Sequence, residues 1–135
     1  MTTHPTADEL LESVKLFIER ISPALEDRDA FLARVAVNAL ATVRREIAQG
    51  PAAAAASRAR LEALLGETGD DASLTAALCD RIRDGVIPDD DPALLAHLRL
   101  SAVDQIEIDQ PGYSGLAAFR AGIRAPDGSG REPLK

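Results

Sequence analysis

Three groups of side chains in this 135-residue chain have types and spacings that can do chemistry. His97, Ser101 and Asp104 stand at i, i+4 and i+7, so a helix carries all three on one face. They are the residue types of a base, a nucleophile and an orienting carboxylate, but no oxyanion donor accompanies them. Cys79 and His97 are soft metal ligands, yet a zinc site needs two more donors, which only carboxylates can supply here. The plainer expectation is a weakly buried thiol and a surface imidazole. Asp89-Asp90-Asp91 lacks the twelve-residue spacing and closing Glu of a calcium loop. Asp91 reads as a helix cap and the other two as solvated. There is no phosphate-cradling glycine loop, no HExxH and no paired CxxC. The expectation is no catalytic residue, no metal and no cofactor.

Glu46 is a different case. It projects into the apolar arc of the segment 28–49, RDAFLARVAVNALATVRREIAQ. A carboxylate there is costly unless it is paired and hydrogen-bonded. Arg20, Arg34, Arg45 and Arg83 are the available cations. The leading expectation is a buried polar pairing of Glu46 with an arginine inside the fold, with docking to a partner next and a general base last. Arg34, Asn38 and Arg45 form one polar ridge at the edge of the same arc, which suits either an interface rim or a satisfied bundle edge.

The elements that must position these groups are helices. Thr6-Ala7-Asp8-Glu9 is a capping box that opens a first helix with a stripe of Leu10, Leu11, Val14, Phe17, Ile18 and Ile21, ended by Pro23. A second helix runs from Asp27 to Gln49. At about 100° per residue, Phe31, Leu32, Val35, Ala36, Ala39, Leu40, Val43 and Ile47 fill one broad arc. Ala30, Ala33, Val37, Ala41 and Ala48 occupy the other side, interrupted by Arg44. A helix apolar nearly all round is central to its domain or covered by a partner. Gly50 fits a left-handed stop, and Pro51 opens a third helix that Gly66 closes. A fourth turns Leu74, Leu78 and Ile82 inward and stops at Gly85. A fifth starts at Asp91-Pro92, with Leu94, Leu95, Leu98, Ala102 and Ile106 on one face, and ends near Asp109. Residues 114–123 suit one more short helix. The reading is an all-α compact bundle of about five helices, helix 2 central, with a single domain over 1–125 and a flexible tail over 126–135.

Composition bounds the partners. Aromatic residues are 3% of the chain, so Leu, Ile, Val and Ala must make the core. The net charge of −7 argues against nucleic acid, which wants a basic patch, and against an anionic membrane. One cysteine fits a reducing compartment. The N-terminus lacks the pattern of a signal peptide and no run reaches the length of a membrane span. The location expected is the cytoplasm.

Several pieces in fixed order carry a family resemblance. They are Pro5-Thr6-Ala7 with Glu9-Leu10-Leu11, and Phe31-x-x-Arg34-Val35-Ala36-x-Asn38-x-Leu40. Arg45-Glu46, Leu64-Leu65-Gly66, Leu78-Cys79 with Ile82-Arg83-x-Gly85, and Gln110-Pro111-x-Tyr113 follow. Over residues 5–113 the chain resembles a small bacterial family catalogued as a domain of unknown function. What the resemblance implies is an accessory protein, encoded beside an aminoglycoside-phosphotransferase-like kinase and an acyl-CoA dehydrogenase. Such a protein is a non-catalytic subunit that supports phosphorylation of a hydroxyacyl-CoA in short-chain acid catabolism. The contact residues expected are Arg34, Asn38, Arg45, Arg83, Gln110 and Tyr113. Tyr113 suits an interface, having an apolar ring and a polar hydroxyl, and suits equally an anchor for the C-terminal segment. The rival expectations are a self-associating homodimer and a bundle that binds acyl-CoA with Arg34 or Arg83 at its mouth.

Overall fold

A computed structural model describes residues 3–124. The tail expected over 126–135 lies outside the described residues. The regular structure among the described residues is helical throughout: α1 (Ala7–Ile21), a 3-10 turn (Ser22–Ala24), α2 (Asp27–Leu65), α3 (Asp71–Arg83), α4 (Pro92–Asp109) and α5 (Leu116–Arg124). The all-α class agrees with the sequence, and the five helices arise with the expected second and third joined in α2 and the short helix of 114–123 formed as α5. Contacts divide the chain into two units, Met1–Ala52 and Ala53–Lys135, where the sequence suggested one domain. The longest helix, α2, supplies residues to both.

The first unit is an antiparallel helical hairpin. The capping box forms as expected: the Glu9 amide donates to Thr6 Oγ1 at 3.3 Å, and the Thr6 amide donates to Glu9 Oε2 at 2.7 Å. Pro23 sits in the tight turn after α1. Arg44 of α2 then reaches back to the start of α1. Its Nε donates to Asp8 Oδ1 at 2.6 Å, its Nη2 to Asp8 Oδ2 at 3.0 Å, and Glu12 completes the cluster. Those hydrogen bonds hold the Asp8 carboxyl below its ordinary range. The forked guanidinium fixes which side of α2 meets α1.

That side is the alanine side. Ala33 is 8% exposed, and Ala30, Val37, Leu40, Ala41 and Arg44 are half-buried. Small side chains let two helices approach closely. The large arc is turned out instead: Phe31, Leu32, Val35, Val43 and Ile47 are 42–56% exposed. The sequence reading placed that arc as the apolar bulk of a central helix. It is bare because Arg44 and the alanines claim α1.

The second unit has a dry leucine core. Leu61, Leu65, Leu74, Leu78, Ile87 and Leu94 form its buried cluster, with Leu64, Ala77 and Ile82 packed against it. Gly66 and Gly85 adopt positive φ and end α2 and α3, the conformation that favours glycine at a helix stop. Arg81 Nη1 donates to the Leu65 carbonyl at 2.7 Å, which satisfies a group left over at the end of α2. Asp70 and Asp91 cap α3 and α4 through the Ser73 and Leu94 amides. On α4 the buried residues are Leu94, His97, Val103 and Ile108. Leu98 and Ala102, expected inward, are exposed. The buried stripe is displaced because it must also serve the neighbouring α5, where Leu116 is buried.

Gly50-Pro51 does not end a helix. α2 passes through both residues, and Gly50 has no positive φ. Proline deletes only its own donation to the Ile47 carbonyl, and the alanines at 52–56 propagate the helix strongly. A Cβ on Gly50 meets only Glu46 Cγ, at 3.7 Å, an ordinary contact. Gly50→Ala should therefore raise the unfolding free energy by about 0.5–1 kcal/mol in urea titration. A left-handed stop at this position predicts the opposite sign, so a loss of stability would split α2 into two helices.

Candidate functional site

The residues of chemical type on α4 are brought together, but around a cation the sequence reading did not include. Arg60 of α2 donates from Nε to His97 Nδ1 at 3.4 Å, and from Nη2 to Ser101 Oγ at 3.2 Å and Asp104 Oδ2 at 3.1 Å. All four belong to the second unit. His97 is 8% exposed, so the expected surface imidazole is a correction: it is buried under the Arg60 guanidinium. Burial first, and the charge of Arg60 second, push its pKa below the usual imidazole value. A nucleophile needs Ser101 hydrogen-bonded to the imidazole. Here Arg60 occupies Nδ1 and Ser101 alike, so the trio is a helix-to-helix clamp. The signal was present in the sequence: three polar residues on one stripe of a buried helix require a multidentate donor opposite, and Arg60 sits among Leu61, Leu64 and Leu65.

Cys79 is exposed, which corrects the weakly buried thiol. Among the described residues no group of three or more His, Cys, Asp or Glu side chains is placed to hold a metal ion. No helix there is long and apolar enough to cross a membrane.

Glu46 is exposed, not buried. It follows the large arc outward, and no arginine needs to follow it inside. The six expected contact residues divide between the units, Arg34, Asn38 and Arg45 on the first and Arg83, Gln110 and Tyr113 on the second. Arg34 is exposed and stacks over the Phe31 ring at 5.9 Å, as Arg20 does over Phe17 at 5.5 Å. Asn38 is exposed, and its carbonyl accepts from the Thr42 hydroxyl. Arg45 is half-buried, with Nη2 donating to Thr42 Oγ1 at 3.0 Å. Arg83 is exposed and paired with Asp80 at 2.7 Å. Gln110 caps α4 and its carbonyl accepts from the Tyr113 amide at 2.9 Å. The Tyr113 ring lies on Gly115, where an added Cβ would fall 2.6 Å from Cε1. It is both anchored and 44% exposed, so the two roles expected for it coexist.

The surface feature that stands out is the outer side of the hairpin. Monomeric proteins seldom leave contiguous apolar patches beyond a few hundred Å². On α1, Leu10, Val14 and Phe17 are about half exposed. Phe17 and Phe31, each four residues from the turn, stand near the closed end of the hairpin.

In comparisons with known proteins, the family described as "Domain of unknown function (DUF6285)" matches residues 23–113, about two thirds of the chain. The chain belongs to this family. The match begins at Pro23, so α1 lies outside it, whereas the resemblance in the sequence reaches back to Pro5. No curated protein and no solved structure matches.

Replacing Arg60 by Met should cost about 1–3 kcal/mol of stability, because three polar groups lose one shared donor. His97 also sets a pH dependence. Its folded-state pKa lies below the unfolded value of 6.5, so the unfolded chain binds protons first as pH falls. The stability it contributes is full above pH 6.5 and is lost as pH falls from there through the folded pKa. Melting temperatures measured from pH 8 to pH 5 should drop less for His97→Gln than for the natural chain. Equal slopes would mean that His97 is not buried as the neutral form.

Proposed function

We propose, from the resemblance carried by the sequence pieces and from the bare hairpin, that the chain is a non-catalytic accessory protein that acts by docking other protein chains. One observation carries the reading: the first unit, with a single buried side chain among its described residues, holds a contiguous set of large apolar side chains half in water. A protein surface of that kind marks an interaction site.

The partner we propose is a phosphotransferase-type kinase of hydroxyacyl-CoA. This identity rests on the resemblance carried by the sequence pieces above. In this reading the chain supplies no reacting group, and its exposed polar residues are contacts. On the second unit, Arg83, Gln110 and Tyr113 are exposed and suited to such contacts. Tyr113 presents an apolar ring with a polar tip, already held in place by Gly115, so little freedom is lost on docking. A bacterial, cytoplasmic setting goes with this proposal.

Static light scattering of the purified chain mixed with such a kinase should give a complex heavier than either component. Tyr113→Ala and Arg83→Ala should each weaken it, Tyr113 by about tenfold or more if it is a central anchor. A kinase whose mass and rate are both unchanged by addition of this chain would overturn the proposed partnership.

A further inference from the structure

We propose that the outer face of the hairpin is covered by a second copy of this chain, docked through an antiparallel two-fold contact of α2 with α2. The inference deepens the docking reading and rests on it.

The register comes from α2 itself. Arg28 and Glu46 are eighteen residues apart, five full turns, so they stand on the same line of the helix. Both are exposed. Glu46 lies amid Val43 and Ile47, and Arg28 at the far end of the same arc, beside Phe31 and Leu32. A two-fold axis at the level of Val37 places Glu46 of one copy against Arg28 of the other, twice. The same axis faces Val35 with Ala39, and Phe31 and Leu32 with Val43 and Thr42. A lone carboxylate in an apolar patch is costly to cover unless its partner brings a cation to it. The chain carries that cation at the spacing an isologous interface needs, since residue i then meets j and j meets i.

Helix α1 packs on the opposite side of α2: Arg44, which Asp8 holds, is two residues and about 200° around the helix from Glu46, so the contact joins the two long helices and leaves each α1 outside it. Dimerisation through the first unit leaves Arg83, Gln110 and Tyr113 on the second for a different partner.

The test is charge reversal on the full chain, with mass read by light scattering and helicity by circular dichroism. The natural chain should be a dimer at micromolar concentration. Arg28→Glu alone places four carboxylates at the two contacts, and Glu46→Arg alone places four cations there. Each should weaken the dimer by about tenfold or more with helicity retained, because like charges across an interface repel. An equimolar mixture of the two variants pairs opposite charges at both contacts and should restore a heterodimer. A dimer indifferent to both reversals, or one that the mixture does not restore, overturns this register. A natural chain that is a monomer at about 100 μM overturns self-docking. The docking reading then stands if the kinase binds and Val35→Glu abolishes that complex, and falls with it if Val35→Glu changes nothing.

Discussion

The Arg44 guanidinium decides which side of the long helix is inside. It sits on the alanine side of α2 and must be satisfied where α1 packs. Asp8 and Glu12 provide for it at the first turn of α1. Once that cluster forms, Ala33, Val37 and Ala41 are against α1, and the large side chains of α2 have nowhere to go but out. The apolar face of the first unit is thus not a failure of packing. It is the side left over once Arg44 and the small residues Ala33 and Ala41 bring α2 close against α1. Burying the larger arc instead would turn the Arg44 guanidinium out to water and leave the Asp8 and Glu12 carboxylates without it.

The two units solve the same problem differently. In the second, leucines at 61, 65, 74, 78 and 94 close over one another, and the one polar stripe that intrudes on α4 is matched by Arg60. Leu74 and Leu94 at its centre are only 2% exposed. In the first, two helices cannot enclose a core, since each shows only one face to the other. The apolar residues they leave outside are large, clustered and interrupted by Glu46 and Arg28 at a repeat of five turns.

Local chemistry in the sequence was legible where one residue decides a backbone event. The Thr6–Glu9 box, Pro23, the stops at Gly66 and Gly85, and the Asp91-Pro92 start all form as read. Each depends on atoms within four residues. What escaped depends on distant partners. Arg60 reaches His97 and Asp104 from another helix, and that contact turns a surface histidine into a buried one. The side of α2 that meets α1 depends on Arg44 finding Asp8. The exposure of Glu46 follows from the same choice, since the arc around it turns out with it. The helix-5 stripe missed Val103 and Ile108 because two neighbours share α4. Gly50-Pro51 misled for a further reason: the punctuation was correct by type, but the alanine run beyond it propagates helix more strongly than the pair interrupts it.

Proline at 51 removes a donor from the Ile47 carbonyl, so the damage to the helix falls at the last apolar residue of the exposed arc and beyond. The five turns from Arg28 to Glu46 lie wholly on the intact side. A register that matches side chains over eighteen residues tolerates little bend, because each turn out of line displaces the next contact. The division between the two units falls at Ala52–Ala53, immediately after Pro51. The segment that presents the bare face and the segment that builds the leucine core belong to one helix, and the donation that Pro51 deletes falls near the end of the first.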